Sequence, residues 1–229
     1  MARDVLVAGG TGALGAAVVR ELASSGFGVT ATWLVDVEHD RAEEEFGDDD
    51  RVAFVKADLM TPEGAETAVS EVADLGGVVN LVGGFSAGPR VHEAEIDEFD
   101  RMLALNLRPG ILLARAAIPR LLESGGGSYV GVSARPALRP FAGGAAYSIA
   151  KAAVIAFVQA LDADYRQDGI RANAILPSVI DTPANRRSQP DADQSKWVAP
   201  AEIARVVRSL VSDEFAPTSG AAIPVYGRA

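Results

Sequence analysis

A phenol and an ammonium lie four positions apart in the apolar segment AAYSIAKAAVIAF, residues 145–157. Side chains at i and i+4 share one helical face, so Tyr147 and Lys151 can converge on a single point. The chain has only three lysines among its 21 basic residues, and a compact ammonium at position 151 suits a point where a planar guanidinium does not fit. The alternative is that Tyr147 packs in the core while Lys151 reaches the surface.

Such a pair is suited to proton transfer. An unperturbed phenol has a pKa of about 10, and a neighbouring ammonium favours the phenolate. We therefore expect the pKa of Tyr147 to be lowered toward neutrality. A phenol in that state can act as a general acid toward a substrate oxygen that gains negative charge.

A second chemical signal is the glycine-rich turn GGTGALG at residues 9–15. Gly9, Gly12 and Gly15 allow a tight turn, close approach of the backbone to a pyrophosphate and close packing of the following helix. Alone, such a turn can be an ordinary loop between a strand and a helix. Its position after the first strand and before an apolar-periodic helix favours dinucleotide binding.

The elements that position these residues alternate along the chain. β-branched runs predict seven buried strands, and amphipathic runs between them predict helices. Parallel strands need helical crossovers, so the pattern predicts a doubly wound, Rossmann-type parallel sheet of about seven strands with helices on both faces. Ligands should bind beyond the carboxyl ends of its strands. The predicted strands are 4–9, 27–33, 51–57, 77–83, 128–133, 170–176 and 221–226, and the predicted helices lie near 13–25, 62–74, 95–123, 147–168 and 200–212.

Composition narrows the classes of function. The 229 residues are 48% hydrophobic and show no linker or repeat, which favours one domain over residues 1–229. A net charge of −10 should repel nucleic acid and anionic membranes. The chain has no cysteine, and its opening residues, MARDVLVAGG, enter a strand without an apolar leader. We therefore expect a cytoplasmic protein with a small-molecule substrate and no metal site.

Seven motifs in order make the chain resemble the short-chain dehydrogenase/reductase family over nearly its whole length. The resemblance implies an NAD(P)H-dependent reductase in which Tyr147 donates a proton and Lys151 holds the nicotinamide ribose. It also implies that Asn106 anchors a water linking Lys151 to solvent, although Asn106 can instead bond a carbonyl of its own helix. The motifs are GGTGALG, KADL, VVNLVGG, LALNLRPG, YSIAK, LPSVIDTP and SGAAIPVYG.

The resemblance also implies a set of cofactor-binding residues. Asp58 would meet the adenine, Asn80 would brace the sheet near the ribose, and Thr182 would hold the nicotinamide carboxamide. Asp58 and Thr182 can instead cap helices, and Asn80 can be a turn residue. The full set is Gly9, Thr11, Gly12, Ala13, Leu14, Gly15, Trp33, Asp58, Leu59, Asn80, Gly83, Tyr147, Lys151, Pro177, Ile180 and Thr182.

The end of the second strand leaves the cofactor preference open. Asp36 lies 21 residues after Gly15, close to the spacing at which an acid binds the ribose of NAD. His39 and Arg41 can instead offer positive charge to a 2′-phosphate, and we favour NADP(H) over NAD(H). A further alternative is that VDVEHDRAEEE is a solvated charged loop without cofactor contact.

Within the family the chain is most similar to the dihydropteridine reductase branch, through VAGGTGALG, GGFSAG and LPSVIDTPANRRSQPDADQSKW. That branch usually has an acid where Trp33 stands here. Phe85 stands where its members present a tryptophan to the ligand, and Phe141 and Trp197 can close the same pocket. The resemblance therefore predicts a planar or pterin-like substrate under a lid over about 183–197.

Two further expectations concern the serine of this family and the assembly. The family's catalytic serine precedes the tyrosine by thirteen residues, which is Ala134 here, with Ser133 beside it. We keep Ser133 as a candidate catalytic residue, although neighbouring strand residues point to opposite faces. The long apolar helices at 95–123 and 147–168 predict a homodimer or homotetramer.

Two other classes of function remain open on the sequence. A protein that binds the cofactor but acts as a regulator or scaffold would explain the displaced serine. An epimerase or dehydratase of the same broad superfamily would share the glycine spacing, but the chain lacks an added substrate domain. The joint presence of the glycine turn and the Tyr147/Lys151 pair favours the reductase.

Overall fold

A computed structural model describes residues 3–229, and residues 1 and 2 of the predicted domain lie outside the described residues. Seven strands form one parallel sheet. They are β1 (Asp4–Ala8), β2 (Val29–Trp33), β3 (Val52–Lys56), β4 (Leu75–Asn80), β5 (Gly127–Val132), β6 (Ile170–Pro177) and β7 (Ala222–Val225). The α-helices are α1 (Ala13–Ser24), α2 (Asp36–Phe46), α3 (Pro62–Ser70), α4 (Ile96–Asn106), α5 (Arg108–Glu123), α6 (Ala145–Tyr165), α7 (Pro183–Ser188) and α8 (Pro200–Val211).

The order of the strands explains where a ligand can enter. Across the sheet they run β3-β2-β1-β4-β5-β6-β7, so the chain winds outward from β1 in one direction and from β4 in the other. The loops that leave β1 and β4 therefore separate at the carboxyl edge of the sheet and open a crevice there. The predicted Rossmann-type sheet of seven parallel strands is confirmed.

Two hydrophobic cores hold helices against the two faces of the sheet. One core joins buried residues of α3, α5 and α6 to the strands, and α4 packs beside α5 and α6. The other core joins α1, α2 and α8 to the opposite face. Because strands such as β1 and β4 are buried on both faces, their sequences are continuous apolar runs and not alternating ones.

Two elements differ from the sequence prediction. Helix α2 forms in the segment VDVEHDRAEEE, for which the sequence predicted no helix and a charged loop was one alternative, and it buries only Ala42 and Phe46. So few apolar positions give a weak helical pattern. The single helix predicted over 95–123 is two helices that meet at Leu107. Pro109 lies in the first turn of α5, where the missing N–H of a proline costs no hydrogen bond.

Helix α6 and the short helix that follows it span Ala145–Asp168 and are long and apolar enough, by composition, to cross a membrane. Helix α6 packs against α4, β5 and β6 in the structure, which accounts for its apolar composition. It also carries Lys151 on its buried side.

Candidate active site

The candidate catalytic residues meet at the carboxyl edge of the sheet, beside β4 and β5. Lys151 projects from α6 and is only 6% exposed. Its Nζ donates a hydrogen bond of 3.0 Å to the carbonyl oxygen of Val132, the last residue of β5. The ammonium also lies 5.9 Å from the centre of the Tyr147 ring. The two side chains are thus neighbours, as the i, i+4 spacing predicts, although the ammonium's hydrogen bond is to a backbone carbonyl.

Gly83, in the loop after β4, brings a third residue to this point. A Cβ at Gly83 would lie 2.6 Å from Asn106 Oδ1 and 3.0 Å from Lys151 Nζ. Contacts that short leave no space for a side chain, so the glycine lets the loop pass directly over the amide and the ammonium. Helix α6, the end of β5 and the loop after β4 therefore meet at the Lys151 Nζ.

Asn106 holds this loop from the end of α4. Its side chain is buried, its Oδ1 accepts a hydrogen bond of 3.1 Å from the Gly84 N–H, and its Nδ2 donates one of 3.0 Å to the Met102 carbonyl. The bond to Met102 is the helix-internal contact that the sequence left as an alternative. The water-anchoring role of Asn106 stays a prediction.

Burial changes the pKa of both members of the pair. Burial lowers the pKa of Lys151 to about 8, and burial raises the pKa of Tyr147 to about 12. For the protein alone this direction is opposite to the expected lowering of the phenol pKa toward neutrality, while a lowering by a positively charged nicotinamide ring stays a prediction. The physical reason is that burial disfavours the phenolate, while the ammonium is engaged by Val132 and is itself destabilised. Tyr147 consequently carries its proton at neutral pH, as a proton donor must.

Ser133 has its hydroxyl directed to α6. The residue is buried, and its Oγ donates a hydrogen bond of 2.6 Å to the backbone carbonyl of Lys151. The neighbouring Ala134 occupies the position thirteen residues before Tyr147 and has no hydroxyl to offer. In this geometry Ser133 fixes the turn of α6 that carries Lys151.

We expect Ser133→Ala to lower kcat by less than about tenfold, which corresponds to about 1.4 kcal/mol. The substitution removes one buried hydrogen bond, with an expected loss of about 1 kcal/mol in the free energy of unfolding. Ser128→Ala is the matched control, because Ser128 lies in β5, which Ser133 directly follows, and its buried Oγ has no partner among the described residues. A hundredfold loss of kcat with unchanged folding would instead mean that Ser133 assists the reaction directly.

The turn after β1 has the shape and the free donors of an anion site. Gly9 has a φ of 75°, and a Cβ at Gly15 would collide with the carbonyl of Gly9. Helix α1 begins after Gly12, and no side chain among residues 3–229 caps it or adds an acid to its first turn. Its first amides therefore remain available to a phosphate group, and the residues present fit a dinucleotide pyrophosphate. These amides belong to Ala13, Leu14 and Gly15, which the sequence assigned to the cofactor.

Other candidate cofactor residues lie at the ends of neighbouring strands. Thr11 and Leu59 are buried, in the loops after β1 and β3. Asp58 Oδ1 accepts a hydrogen bond of 3.0 Å from the Met60 N–H, which is a local turn, and the cap of α3 is Thr61 instead. Asn80 is buried, and its Oδ1 accepts one of 3.1 Å from the Val82 N–H. The turn role of Asn80 is therefore present, while the cofactor roles of these residues stay predictions.

The residues that follow β6 frame the predicted lid. Pro177 ends β6, and Ile180 forms an isolated parallel bridge with Val198. Thr182 Oγ1 caps α7 by accepting a hydrogen bond of 3.2 Å from the Asn185 N–H. The segment 183–197 thus lies between Ile180 and Val198, the two residues of one bridge. This is the arrangement expected of a lid that is hinged at both ends.

The end of β2 holds a group of aromatic and charged side chains. Trp33 stacks on His39 with ring centres 4.0 Å apart, and His39 lies 3.2 Å from the Glu43 carboxylate. Lys56 Nζ lies 4.5 Å from the Trp33 ring centre and 3.1 Å from Asp36 Oδ1. Sequence reasoning did not assign Lys56 to a site. Its position at the end of the strand beside β2 was the signal that could have found it.

Aromatic side chains surround the phenol on the substrate side. Phe85 lies 5.0 Å from Tyr147, ring centre to ring centre, and 6.2 Å from Phe141. Phe85 is 65% exposed and Phe141 is 41% exposed, so both present apolar surface to the crevice. The Gly88 N–H donates a 2.9 Å hydrogen bond to the Gly143 carbonyl and ties the two loops together.

Trp197 is not part of this aromatic cluster. It lies at the far end of the lid segment and lines a separate cleft of about 300 Å³. The cleft is formed with Ser195, Glu202, Gly227 and Arg228. The structure thus brings two of the three candidate substrate residues to Tyr147 and places the third elsewhere.

Comparison with known proteins finds a family model that covers most of the chain. The family described as short chain dehydrogenase matches residues 3–193. The chain is 28% identical over 194 positions to 2-(R)-hydroxypropyl-CoM dehydrogenase of Xanthobacter autotrophicus, covering 78% of each protein. It is 29% identical over 238 aligned positions to acetoacetyl-CoA reductase of an Acinetobacter species, covering 97% of the chain and 95% of the relative.

Among solved structures, the chain resembles a short-chain type dehydrogenase/reductase from Mycobacterium ulcerans. The TM-score is 0.92 at 23% identity, with 99% of this chain and 89% of that chain covered. At this identity the likeness supports the fold alone.

Proposed function

Because the chain belongs to the short-chain dehydrogenase family, we propose that it reduces a small carbonyl or quinonoid compound and that Tyr147 donates the proton. The relatives are named dehydrogenases and reductases, so the chain is an NAD(P)-dependent oxidoreductase. The observation that carries the proposal is the position of the Tyr147 phenol, which lies beside the buried Lys151 ammonium and next to the exposed ring of Phe85.

Each of the candidate residues has its own role in the proposed reaction. A bound nicotinamide supplies a hydride. Tyr147 gives its proton to the carbonyl oxygen as that oxygen gains negative charge, and the Lys151 ammonium stabilises the phenolate that results. The Val132 carbonyl holds the ammonium, Asn106 holds the loop that passes over it, and Ser133 fixes its helix. The free amides at the start of α1 would hold the pyrophosphate of the cofactor.

We propose a flat substrate. Phe85 and Phe141 offer two exposed rings next to the phenol, and a planar molecule can pack on such faces. A pterin-like compound would match the resemblance to the dihydropteridine reductase branch, which stays a prediction. The two named relatives carry different substrates in their names, and neither name supplies a substrate for this chain.

The experiment that tests the proposed function is loss of NADPH and NADH absorbance with a panel of carbonyl compounds. The panel includes aliphatic ketones, aromatic ketones and a quinonoid dihydropterin. We expect turnover with a planar member, together with binding of the reduced cofactor. Binding without turnover across the whole panel would favour a regulatory protein instead.

Phe85→Leu should raise KM for planar substrates by about tenfold and leave KM for small aliphatic carbonyls unchanged. The substitution keeps an apolar side chain but removes a ring face, whose stacking is worth about 0.5–1.5 kcal/mol beyond the buried area. Phe215→Leu is the matched control, since Phe215 is also exposed and lies in the segment after α8. Equal changes of KM for both substrate classes would exclude stacking on Phe85.

We also propose a homodimer or homotetramer in the cytoplasm. Exposed isoleucine and leucine side chains lie on α4, α5 and α6, at Ile96, Ile111, Leu122 and Ile149. Burying them against a second copy removes apolar surface from water. Light scattering should give two or four times the chain mass of 23.8 kDa, and a value equal to one chain mass would rule out the assembly.

A further inference from the structure

Four aromatic and charged side chains contact one another at the end of β2. We name this group the Trp33 cluster, and it consists of Trp33, Asp36, His39 and Lys56. Trp33 and Lys56 are register partners at the ends of β2 and β3, so their side chains leave the sheet side by side. The Lys56 ammonium lies over the indole at 4.5 Å from the ring centre.

The spacing of Asp36 connects this cluster to the cofactor. An acid about 20 residues after the glycine turn hydrogen-bonds the ribose 2′-hydroxyl in dinucleotide sites. Asp36 lies 21 residues after Gly15, and its Oδ1 is 3.1 Å from Lys56 Nζ. Any part of a dinucleotide that reaches Asp36 therefore also reaches Lys56.

The charges of the Trp33 cluster should act differently on NADP(H) and NAD(H). A 2′-phosphate would be repelled by Asp36 and attracted by Lys56, whose side chain is 55% exposed and free to turn toward it. His39 and Arg41, the two cations considered from the sequence, are less suited to bind the phosphate. His39 is stacked on Trp33 and faces Glu43, and Arg41 lies exposed on α2 without an ion pair in residues 3–229.

We propose that Lys56 recognises the 2′-phosphate and makes the chain selective for NADP(H). This inference rests on the proposed function, because it requires a dinucleotide on the glycine turn. When the phosphate binds, Lys56 exchanges its Asp36 partner for the phosphate oxygens. The indole face of Trp33 keeps the ammonium at the strand end, as expected for a cation over an aromatic ring.

The test uses calorimetric binding of two cofactor fragments, 2′,5′-ADP and 5′-ADP, to the whole chain. We expect wild type to bind 2′,5′-ADP about tenfold more tightly, and Lys56→Gln to remove that difference while binding of 5′-ADP is unchanged. Lys56→Arg should retain most of the difference. Asp36→Asn should tighten binding of 2′,5′-ADP, because a repelling carboxylate is removed. Arg51→Gln is the matched control, since Arg51 precedes the other end of β3 and the change in charge is the same.

The outcomes separate this inference from the proposed function. Lys56 does not recognise the phosphate if wild type binds 5′-ADP as tightly as 2′,5′-ADP. The same conclusion follows if Lys56→Gln and Arg51→Gln change binding of the two fragments equally. In either case the proposed function still stands. If neither fragment binds wild type, both the inference and the proposed function fail. Thermal melting of the variants monitors folding, and the exposed positions of Lys56 and Arg51 favour an unchanged melting temperature.

Discussion

Tyr147→Phe should lower kcat by about 10²- to 10⁴-fold, the usual contribution of a positioned general acid. The ring that packs against Phe85 is retained, and only the hydroxyl is lost. The proton is needed only when negative charge develops on the substrate oxygen. The substitution should therefore lower kcat and leave cofactor binding nearly unchanged. The dissociation constant of the reduced cofactor should change by less than about threefold, well below the tenfold that corresponds to 1.4 kcal/mol.

Steady-state rates and fluorescence titration of the reduced cofactor measure these two effects separately. Tyr165→Phe is the matched control, because Tyr165 is the last residue of the same helix. A Tyr147→Phe variant that keeps a tenth or more of the wild-type kcat would assign proton donation to another group.

Lys151→Met should lower kcat and weaken cofactor binding together, each by about tenfold or more. Methionine fills a similar volume but gives no hydrogen bond to the Val132 carbonyl and no charge beside the phenol. Stability should fall little, because the substitution also removes an ammonium that burial destabilises. Rates, cofactor titration and thermal melting of this variant measure the three effects, and unchanged cofactor binding would contradict a role for Lys151 at the ribose.

The pH dependence of catalysis and of stability gives a second measurement of the charge on Lys151. The folded pKa of Lys151 is lowered to about 8 from an ordinary value of 10.5, so the amine loses its charge above pH 8. For the wild type, kcat/KM for the cofactor should therefore decline above that pH. Between pH 8 and 10.5 the unfolded chain binds the extra proton, so the free energy of unfolding should rise with pH relative to Lys151→Met. A profile that is flat to pH 10 in both measurements would mean that the ammonium is not buried.

Much of the fold could be read from the sequence because it depends on local patterns. Alternating β-branched and amphipathic runs gave all seven strands, and the glycine turn identified the first crossover. Helix α2 was missed because it is mostly charged and contributes only Ala42 and Phe46 to a core. The break between α4 and α5 was missed even though Pro109 marks it.

The candidate site was less accessible to sequence reasoning because it depends on contacts between distant segments. The i, i+4 spacing placed Tyr147 and Lys151 together, but the crowding of Gly83 against Asn106 and Lys151 requires the folded chain. For the protein alone, the direction of the phenol pKa is opposite to the prediction because the degree of burial cannot be read from spacing. Lys56 was missed because its partner Asp36 lies twenty residues away on another element.

We propose that this chain transfers a hydride to a substrate carbonyl and a proton from Tyr147 to its oxygen. The most direct test uses reduced cofactor deuterated at the transferring position of the nicotinamide, with a ketone from the panel as the substrate. Mass spectrometry should find a single deuterium on the new carbinol carbon with the wild type and almost no product with Tyr147→Phe. Product without deuterium, or equal deuterated product from both proteins, would contradict the account.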